Sequence, residues 1–137
     1  MENFTQIGNG ARLLVVDDQP FFAALMRERF ESLGYSVTTA HDAFQALATV
    51  AQVDVPLVVL LDLMLPKVSG HQLLHELAKS PSASRLRVVL VSGHHSVERV
   101  AVNNPMVVGR AHKPVDLGEL TRMVEGASRS LAQSLMH

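Results

Sequence analysis

Short hydrophobic runs alternate along this chain with longer amphipathic segments. The runs lie at about residues 12–17, 35–40, 57–62, 86–92 and 106–111. They are short and rich in β-branched residues, which predicts strands, and their lack of alternation is typical of a parallel sheet buried on both faces. The intervening segments predict helices over about 20–33, 42–52, 69–79, 95–102 and 116–135. Regular alternation of strand and helix predicts a doubly wound α/β fold with helices on both faces of the sheet.

The first and last predicted helices have distinct hydrophobic stripes. The stripe of the first helix consists of Phe22, Leu25, Met26, Phe30 and Leu33. The last helix has hydrophobic or small residues at alternating spacings of three and four, at Leu117, Leu120, Val124, Ala127, Leu131 and Ser134. This spacing favours a long helix that faces the core, with the start of a coiled-coil linker as the alternative.

The length, composition and charge restrict the class of protein. A chain of 137 residues with 47% hydrophobic residues predicts one folded domain. We expect a flexible leader over 1–10, the domain over 11–125, and an extension of the last helix or the start of a linker over 126–137. The formal net charge of −1 gives no reason to expect direct binding of nucleic acid. No hydrophobic run is long enough to span a membrane and no signal peptide is evident, so we expect a cytoplasmic protein.

Acidic residues follow two of the predicted strands. Asp17 and Asp18 come directly after the hydrophobic residues 13–16, and Asp62 ends the run that begins at Leu57. Because the carboxyl ends of parallel strands share one edge of the sheet, we expect the three carboxylates to lie close together. Like charges at close range are unfavourable unless a proton or a cation relieves them. The pattern therefore predicts a divalent metal site.

Two further side chains at strand ends narrow the chemistry. Ser92 ends the fourth predicted strand, and Lys113 follows the fifth. A carboxylate can attack phosphorus, and the incoming phosphoryl group then needs a metal ion, a cation and hydrogen-bond donors around its oxygens. Carboxylates, a hydroxyl and an ammonium at one edge favour phosphoryl transfer.

The chain resembles the receiver domain of two-component response regulators, a flavodoxin-like fold also seen in the chemotaxis regulator. The resemblance covers about residues 11–125. It rests on four blocks in order, at residues 14–20, 60–66, 92–93 and 113–114. It implies a five-stranded parallel sheet in the order 2-1-3-4-5 with five helices.

The resemblance also implies the role of each site residue. Asp62 would be the phosphoacceptor, which receives its phosphoryl group from a sensor histidine kinase or a phosphotransfer protein. Asp17 and Asp18 would form the acidic pair that binds Mg²⁺, or Mn²⁺ in its place. Asp62 and the backbone carbonyl of Met64 would complete the protein ligands of the metal ion.

The remaining implied roles concern the phosphoryl oxygens and the output. Ser92, Lys113 and the backbone N–H groups of Met64 and Gly93 would contact those oxygens. A downstream protein would bind the surface of the fourth helix, fifth strand and fifth helix. A domain of this kind assists its own phosphorylation and dephosphorylation without being a conventional turnover enzyme.

Arg110 departs from the pattern of the family. Family members usually have Tyr or Phe three residues before the lysine, as part of the switch that follows phosphorylation. Since an unpaired buried charge is unfavourable, we expect Arg110 to face solvent and to serve a partner surface or an altered switch. His94 and Met64 lie at family positions that tune hydrolysis of the acyl phosphate, so we expect His94 to modulate its lifetime.

Other functions remain open at this level. A receiver fold that binds partners without phosphorylation is the main alternative, and Arg110 is its best support. A metal-dependent phosphatase usually needs a second aspartate two residues after the nucleophile, where this chain has Met64. The domain is either free-standing or a piece of a larger regulator or hybrid kinase.

Overall fold

Five parallel strands form a single sheet in the order β2-β1-β3-β4-β5. The structure is a computed structural model, which describes residues 8–93 and 104–135. The strands are β1 (Arg12–Val16), β2 (Ser36–Ala40), β3 (Leu57–Asp62), β4 (Leu86–Ser92) and β5 (Val107–His112). All of the predicted strands are present, with ends within one residue of the expected positions. The predicted strand order is confirmed.

Four α-helices connect or follow these strands in the described part of the chain. They are α1 (Pro20–Ser32), α2 (Ala43–Gln52), α3 (Gly70–Lys79) and α4 (Leu117–Leu135). A short 3₁₀ turn, Ala83–Arg85, precedes β4. The predicted helix over 95–102 lies outside the described residues, and so does most of the predicted leader. None of the described helices is long and hydrophobic enough to cross a membrane.

Side-chain caps fix the starts of α2 and α3. The carboxylate of Asp42 accepts a hydrogen bond from the N–H of Gln45 at 2.8 Å. The hydroxyl of Ser69 accepts one from the N–H of Gln72 at 3.2 Å. These bonds satisfy N–H groups that have no partner within the first turn of a helix.

The sheet separates two hydrophobic layers. On one face, α2 and α3 pack against the alternate strand residues that include Leu14, Val59 and Leu90. On the other, α1 and α4 pack against the residues between them, including Val15, Leu60 and Val89. Burial of both faces explains why the inner strands are hydrophobic at consecutive positions.

Most of the predicted stripe of α4 is confirmed, but its last position, Ser134, is exposed, and one position of the α1 stripe was also wrong. Leu120, Val124, Ala127 and Leu131 are at most 3% exposed, as expected for a helix that faces the core. In α1 the second predicted stripe position, Leu25, is 38% exposed. The small residue Ala23 faces the sheet in its place, because the rotation of the helix is set by its larger residues Met26 and Phe30.

Candidate functional site

The carboxyl edge of the sheet brings together the strand ends that carry the five residues singled out by the sequence pattern. Asp17 continues from β1, where its N–H donates to the carbonyl of Ala40 in β2 at 3.0 Å. Asp62 ends β3 and Ser92 ends β4. The N–H of Lys113 donates to the carbonyl of Ser92 at 3.1 Å, which joins the ends of β4 and β5. The sheet therefore determines the positions of the site residues.

Lys113 forms the centre of the site. Its Nζ lies 2.9 Å from Asp17 Oδ2 and 3.2 Å from Asp62 Oδ2. Both carboxylates are almost fully buried, with exposures of 2% for Asp17 and 4% for Asp62. A buried charge is tolerated only when it is paired and hydrogen-bonded. One ammonium group therefore serves two buried carboxylates.

The burial and pairing change the proton affinity of both partners. Burial raises the pKa of Asp17 above its ordinary value, although the hydrogen bonds from Lys113 and from the N–H of Gln19 act in the opposite direction. Burial alone would lower the pKa of Lys113, but its bonds and attraction to Asp17 and Asp62 outweigh this effect and raise it. Lys113 is therefore a permanent cation at neutral pH.

The three carboxylates lie close enough together to hold a metal ion. Asp17, Asp18 and Asp62 each offer one oxygen, and these oxygens lie within 4.8 Å of one another. Asp18 is exposed, whereas the other two are buried. A hard divalent cation such as Mg²⁺ prefers oxygen ligands of this kind and usually keeps some of its water. The ligand set therefore fits such an ion, with the open side at Asp18.

A cleft of about 380 Å³ opens over the carboxylates. Its walls are formed by Asp18, Gln19, Asp62, Met64, Gly93 and Lys113. The backbone N–H of Met64 donates to Asp62 Oδ1 at 2.9 Å, while its side chain is 55% exposed at the entrance. Asp62 thus has one oxygen held by the backbone and the other by Lys113.

Gly70 allows α3 to begin directly against the strand that carries Asp62. Its N–H donates to the carbonyl of Leu63 at 3.1 Å. A Cβ atom at this position would lie 2.5 Å from Leu63 Cα and 2.7 Å from the carbonyl oxygen of Asp62. Real Cβ atoms essentially never approach other atoms so closely, so the contact requires glycine.

Two of the positions that were assigned to the switch and to hydrolysis, Arg110 and Met64, are exposed. Arg110 is exposed in β5, so the prediction that it faces solvent is confirmed. Ser92 is fully buried. His94 lies outside the described residues, so its expected effect on the acyl phosphate stays a prediction.

Sequence reasoning missed two residues that contact Lys113. Gln19 Oε1 accepts a hydrogen bond from Lys113 Nζ at 2.9 Å. The same Nζ lies 4.3 Å from the centre of the Phe22 ring, a favourable position for a cation over an aromatic face. Gln19 stands directly after the acidic pair, which was a usable indication. Phe22 resembled an ordinary core residue of α1, and its sequence position gave no indication of this contact.

Several known proteins are similar in sequence to this chain. Over 123 residues the chain is 32% identical to Protein Rrf1 of Nitratidesulfovibrio vulgaris, covering 90% of this chain and 86% of that protein. It is 38% identical over 92 residues to the probable transcriptional regulatory protein TcrX of Mycobacterium tuberculosis, covering 66% of this chain and 38% of the relative. Several curated relatives are much longer, and the chain spans 26% to 38% of their length.

A solved structure and a family model agree with these sequence relatives. The signal receiver domain of an HD domain-containing protein from Pseudomonas fluorescens superimposes with a TM-score of 0.81 at 25% identity, over 90% of this chain and 98% of that chain. The family model of the response regulator receiver domain matches residues 13–125. This match contains every strand-end residue described above. The chain therefore belongs to the response regulator receiver domain family of two-component signal transduction.

Proposed function

We propose that this receiver domain accepts a phosphoryl group on Asp62 in a magnesium-dependent reaction. The donor would be a phosphohistidine on a sensor histidine kinase or a phosphotransfer protein. The observation that carries the proposal is the position of Lys113 Nζ, which bonds at once to an expected metal ligand, Asp17, and to the acceptor, Asp62. An interaction surface without chemistry has no need of a cation held between two buried carboxylates.

Asp62 would supply the nucleophile. One of its carboxylate oxygens forms a bond to phosphorus while the bond from phosphorus to the imidazole nitrogen of the donor breaks. The electron pair of that bond stays on the imidazole. The cleft of about 380 Å³ at Asp62 leaves room for the transferred group. The described backbone holds the carboxylate in place through the N–H of Met64.

Lys113 and the polar groups around it would bind the transferred oxygens. The ammonium already lies 3.2 Å from the acceptor carboxylate, so it is in place when negative charge builds up on the phosphoryl group. The Ser92 hydroxyl and the N–H groups of Met64 and Gly93 supply further donors at the same edge. Preorganised donors stabilise developing charge because little rearrangement is needed during the reaction.

Asp17, Asp18, Asp62 and the backbone carbonyl of Met64 would hold Mg²⁺, with Mn²⁺ as an alternative. When bound, the ion would neutralise negative charge on the phosphoryl oxygens. Asp18 is exposed and borders the cleft, which gives a hydrated ion a route to the buried ligands. This role accounts for three carboxylates within 4.8 Å of one another.

The phosphorylated domain would act on a downstream protein through the surface that includes β5. Arg110 is exposed there, and Val108 on the same strand is 43% exposed. These two side chains are two residues apart in a strand, so they point to the same face of the sheet. The partner would then contact Arg110 directly. Arg110 would not move inward as an aromatic switch residue does.

Incubation with a small phosphodonor and Mg²⁺, followed by intact-mass spectrometry, tests the proposal. Wild type is expected to gain one phosphoryl group, and Asp62→Ala to gain none. Asp54→Ala, which removes an exposed carboxylate on the loop before β3, is the matched control and is expected to behave as wild type.

The result also separates the two functions that the sequence left open. No gain of mass in wild type, with the small donor and with the partner kinase alike, would rule out phosphoryl acceptance. It would favour a receiver fold that binds partners without being phosphorylated, for which exposed Arg110 is the supporting observation.

A further inference from the structure

The Lys113 ammonium makes two contacts that the proposed phosphoryl transfer does not use. It donates to Gln19 Oε1, and it lies over the ring of Phe22. An ammonium has three N–H donors. Asp17, Gln19 and Asp62 accept at 2.9, 2.9 and 3.2 Å, so these oxygens account for all of its donors. Gln19 is the one neutral acceptor among them.

The side chain of Gln19 is not engaged in capping the helix that it precedes. Gln19 occupies the N-cap position of α1, where short side chains such as Ser and Asp usually accept a hydrogen bond from the first turn. It makes no such bond, and α1 begins with Pro20, which has no N–H to satisfy. A role in starting the helix therefore does not explain the contact with Lys113.

Both oxygens of Asp17 are already engaged. Oδ1 accepts the N–H of Gln19 at 2.8 Å, and Oδ2 accepts from Lys113 at 2.9 Å. A divalent cation that binds Asp17 therefore meets the ammonium at the same carboxylate, and the two positive charges repel each other. If the ammonium leaves Asp17, its remaining acceptors are Asp62 and Gln19.

We propose that Gln19 is a positioning residue that keeps the Lys113 ammonium beside Asp62 when a metal ion takes Asp17. The inference rests on the proposed function, because it assumes that Asp17 is a metal ligand. Phe22 supports the same position from the side of α1, since a cation over a ring face is attracted to it. Without Gln19, the ammonium would be attached through Asp62 alone on the side facing the cleft.

The first experiment observes the ammonium itself by ¹H–¹⁵N NMR of the full chain at saturating Mg²⁺. Lys113→Met identifies the signal. An ammonium that donates to both Asp62 and Gln19 exchanges its protons more slowly than one that donates to Asp62 alone, so wild type is expected to show this signal. Gln19→Met has a side chain of similar length without an amide, and it is expected to broaden or lose the signal. Gln19→Glu restores an acceptor and is expected to recover it.

The second measurement is the initial rate of phosphorylation by the small phosphodonor. Loss of the hydrogen bond from the Lys113 ammonium to a neutral amide predicts a fall of about tenfold for Gln19→Met. The Mg²⁺ concentration for half-maximal rate should stay the same. In the Lys113→Met background, Gln19→Met should have no further effect on the rate, because the two side chains act through one contact. Gln52→Met, which replaces an exposed glutamine at the end of α2, is the matched control.

The outcomes distinguish this inference from the proposed function. A Lys113 ammonium signal that is as sharp in Gln19→Met as in wild type would overturn the positioning role, even if phosphorylation of Asp62 is observed. A signal absent from wild type at saturating Mg²⁺ would overturn it as well. Failure of Asp62 to gain a phosphoryl group would contradict the proposed function, whereas the NMR comparison would still report on Gln19.

Discussion

Asp17 combines the deepest burial among the three carboxylates with the strongest link to Lys113. It is 2% exposed, and its two oxygens accept hydrogen bonds from different groups. Burial nevertheless dominates, so the pKa of Asp17 is raised above the ordinary value of 3.8. The ionised form is thus less favourable in the folded protein than in the unfolded chain. Ionised Asp17 therefore reduces the stability of the fold at neutral pH.

The first prediction concerns the replacement of this carboxylate. Because the pKa of Asp17 is raised in the folded protein, its protonated form contributes stability below pH 3.8. This contribution is lost as the pH rises through the pKa of the folded state. Asp17→Asn is therefore expected to raise the melting temperature by a few degrees in EDTA at neutral pH. The advantage over wild type should shrink as the pH falls towards the ordinary carboxylate range. Thermal unfolding followed by circular dichroism measures both effects.

One control variant and one consideration about Lys113 accompany this measurement. Asp54→Asn removes an exposed carboxylate and is expected to change the melting temperature little. The pKa of Lys113 is raised above 10.5, so its contribution is present below that pH and is constant over the range tested. If the advantage of the Asp17→Asn variant grew with acidity, the sign assigned to Asp17 would be wrong.

Among the elements, α3 has the tightest approach to the reactive strand. The backbone of β3 passes so close to Gly70 that an added Cβ would lie 2.5 Å from Leu63 Cα. In contrast, Gly126 lies inside α4, and in the described part of the chain no atom beyond its chain neighbours and its own helix backbone lies within 4 Å of an added Cβ. Close packing therefore requires glycine at position 70, whereas an added side chain at Gly126 would have space.

The second prediction uses these two glycines as a matched pair. Gly70→Ala is expected to lower the free energy of unfolding by about 1–3 kcal/mol, because backbone atoms must move apart to admit the methyl group. Gly126→Ala is expected to raise it by about 0.5–1 kcal/mol, since alanine loses less entropy in a helix. Urea unfolding of both variants measures the difference. Equal effects of the two changes would contradict the close approach at Gly70.

The elements were predictable from the sequence, whereas some contacts were not. Hydrophobic runs such as residues 57–61 predict a strand buried on both faces, because helices cover both faces of the sheet. Because parallel strands end at the same edge of the sheet, Asp62 and Lys113 at two of these ends were expected to lie close together. The exchange of Ala23 for Leu25 on α1 was not predictable, because helix rotation depends on packing against the whole sheet. The contact of Phe22 with Lys113 likewise depends on the fold, since 91 positions separate them (113 − 22).

At the scale of the whole molecule, α4 continues beyond the segment that the family model matches. The match ends at residue 125, and the helix runs on to Leu135. Leu131 is 3% exposed and belongs to the core layer of α1 and α4. Ser130 accepts a hydrogen bond from Arg87 Nε of β4 at 3.2 Å. These contacts favour a folded domain that includes the end of α4.

The third prediction tests whether this last part of α4 stabilises the domain. Leu131→Ala removes a buried side chain beyond the matched segment and is expected to lower the free energy of unfolding by about 2–5 kcal/mol. Gln133→Ala, at an exposed position two residues further along, should change it by less than about 0.5 kcal/mol. Urea unfolding of the full chain is the measurement. If both variants unfolded like wild type, residues after 125 would be a linker and not part of the domain.

The location of Lys113 after an edge strand links the site to local unfolding. Among the described strands β5 pairs with β4 alone, and it is less buried than the inner strands, so it belongs to the parts of a fold that open more readily. Opening of β5 would withdraw the ammonium from two buried carboxylates and leave their charges uncompensated. The electrostatic cost of that exposure opposes opening, so the site residues protect the margin of the sheet against exchange with solvent. A metal ion bound to the carboxylates would share this compensation, while the bonds from Lys113 to Asp62 and Gln19 would still tie the end of β5 to β3 and to the start of α1.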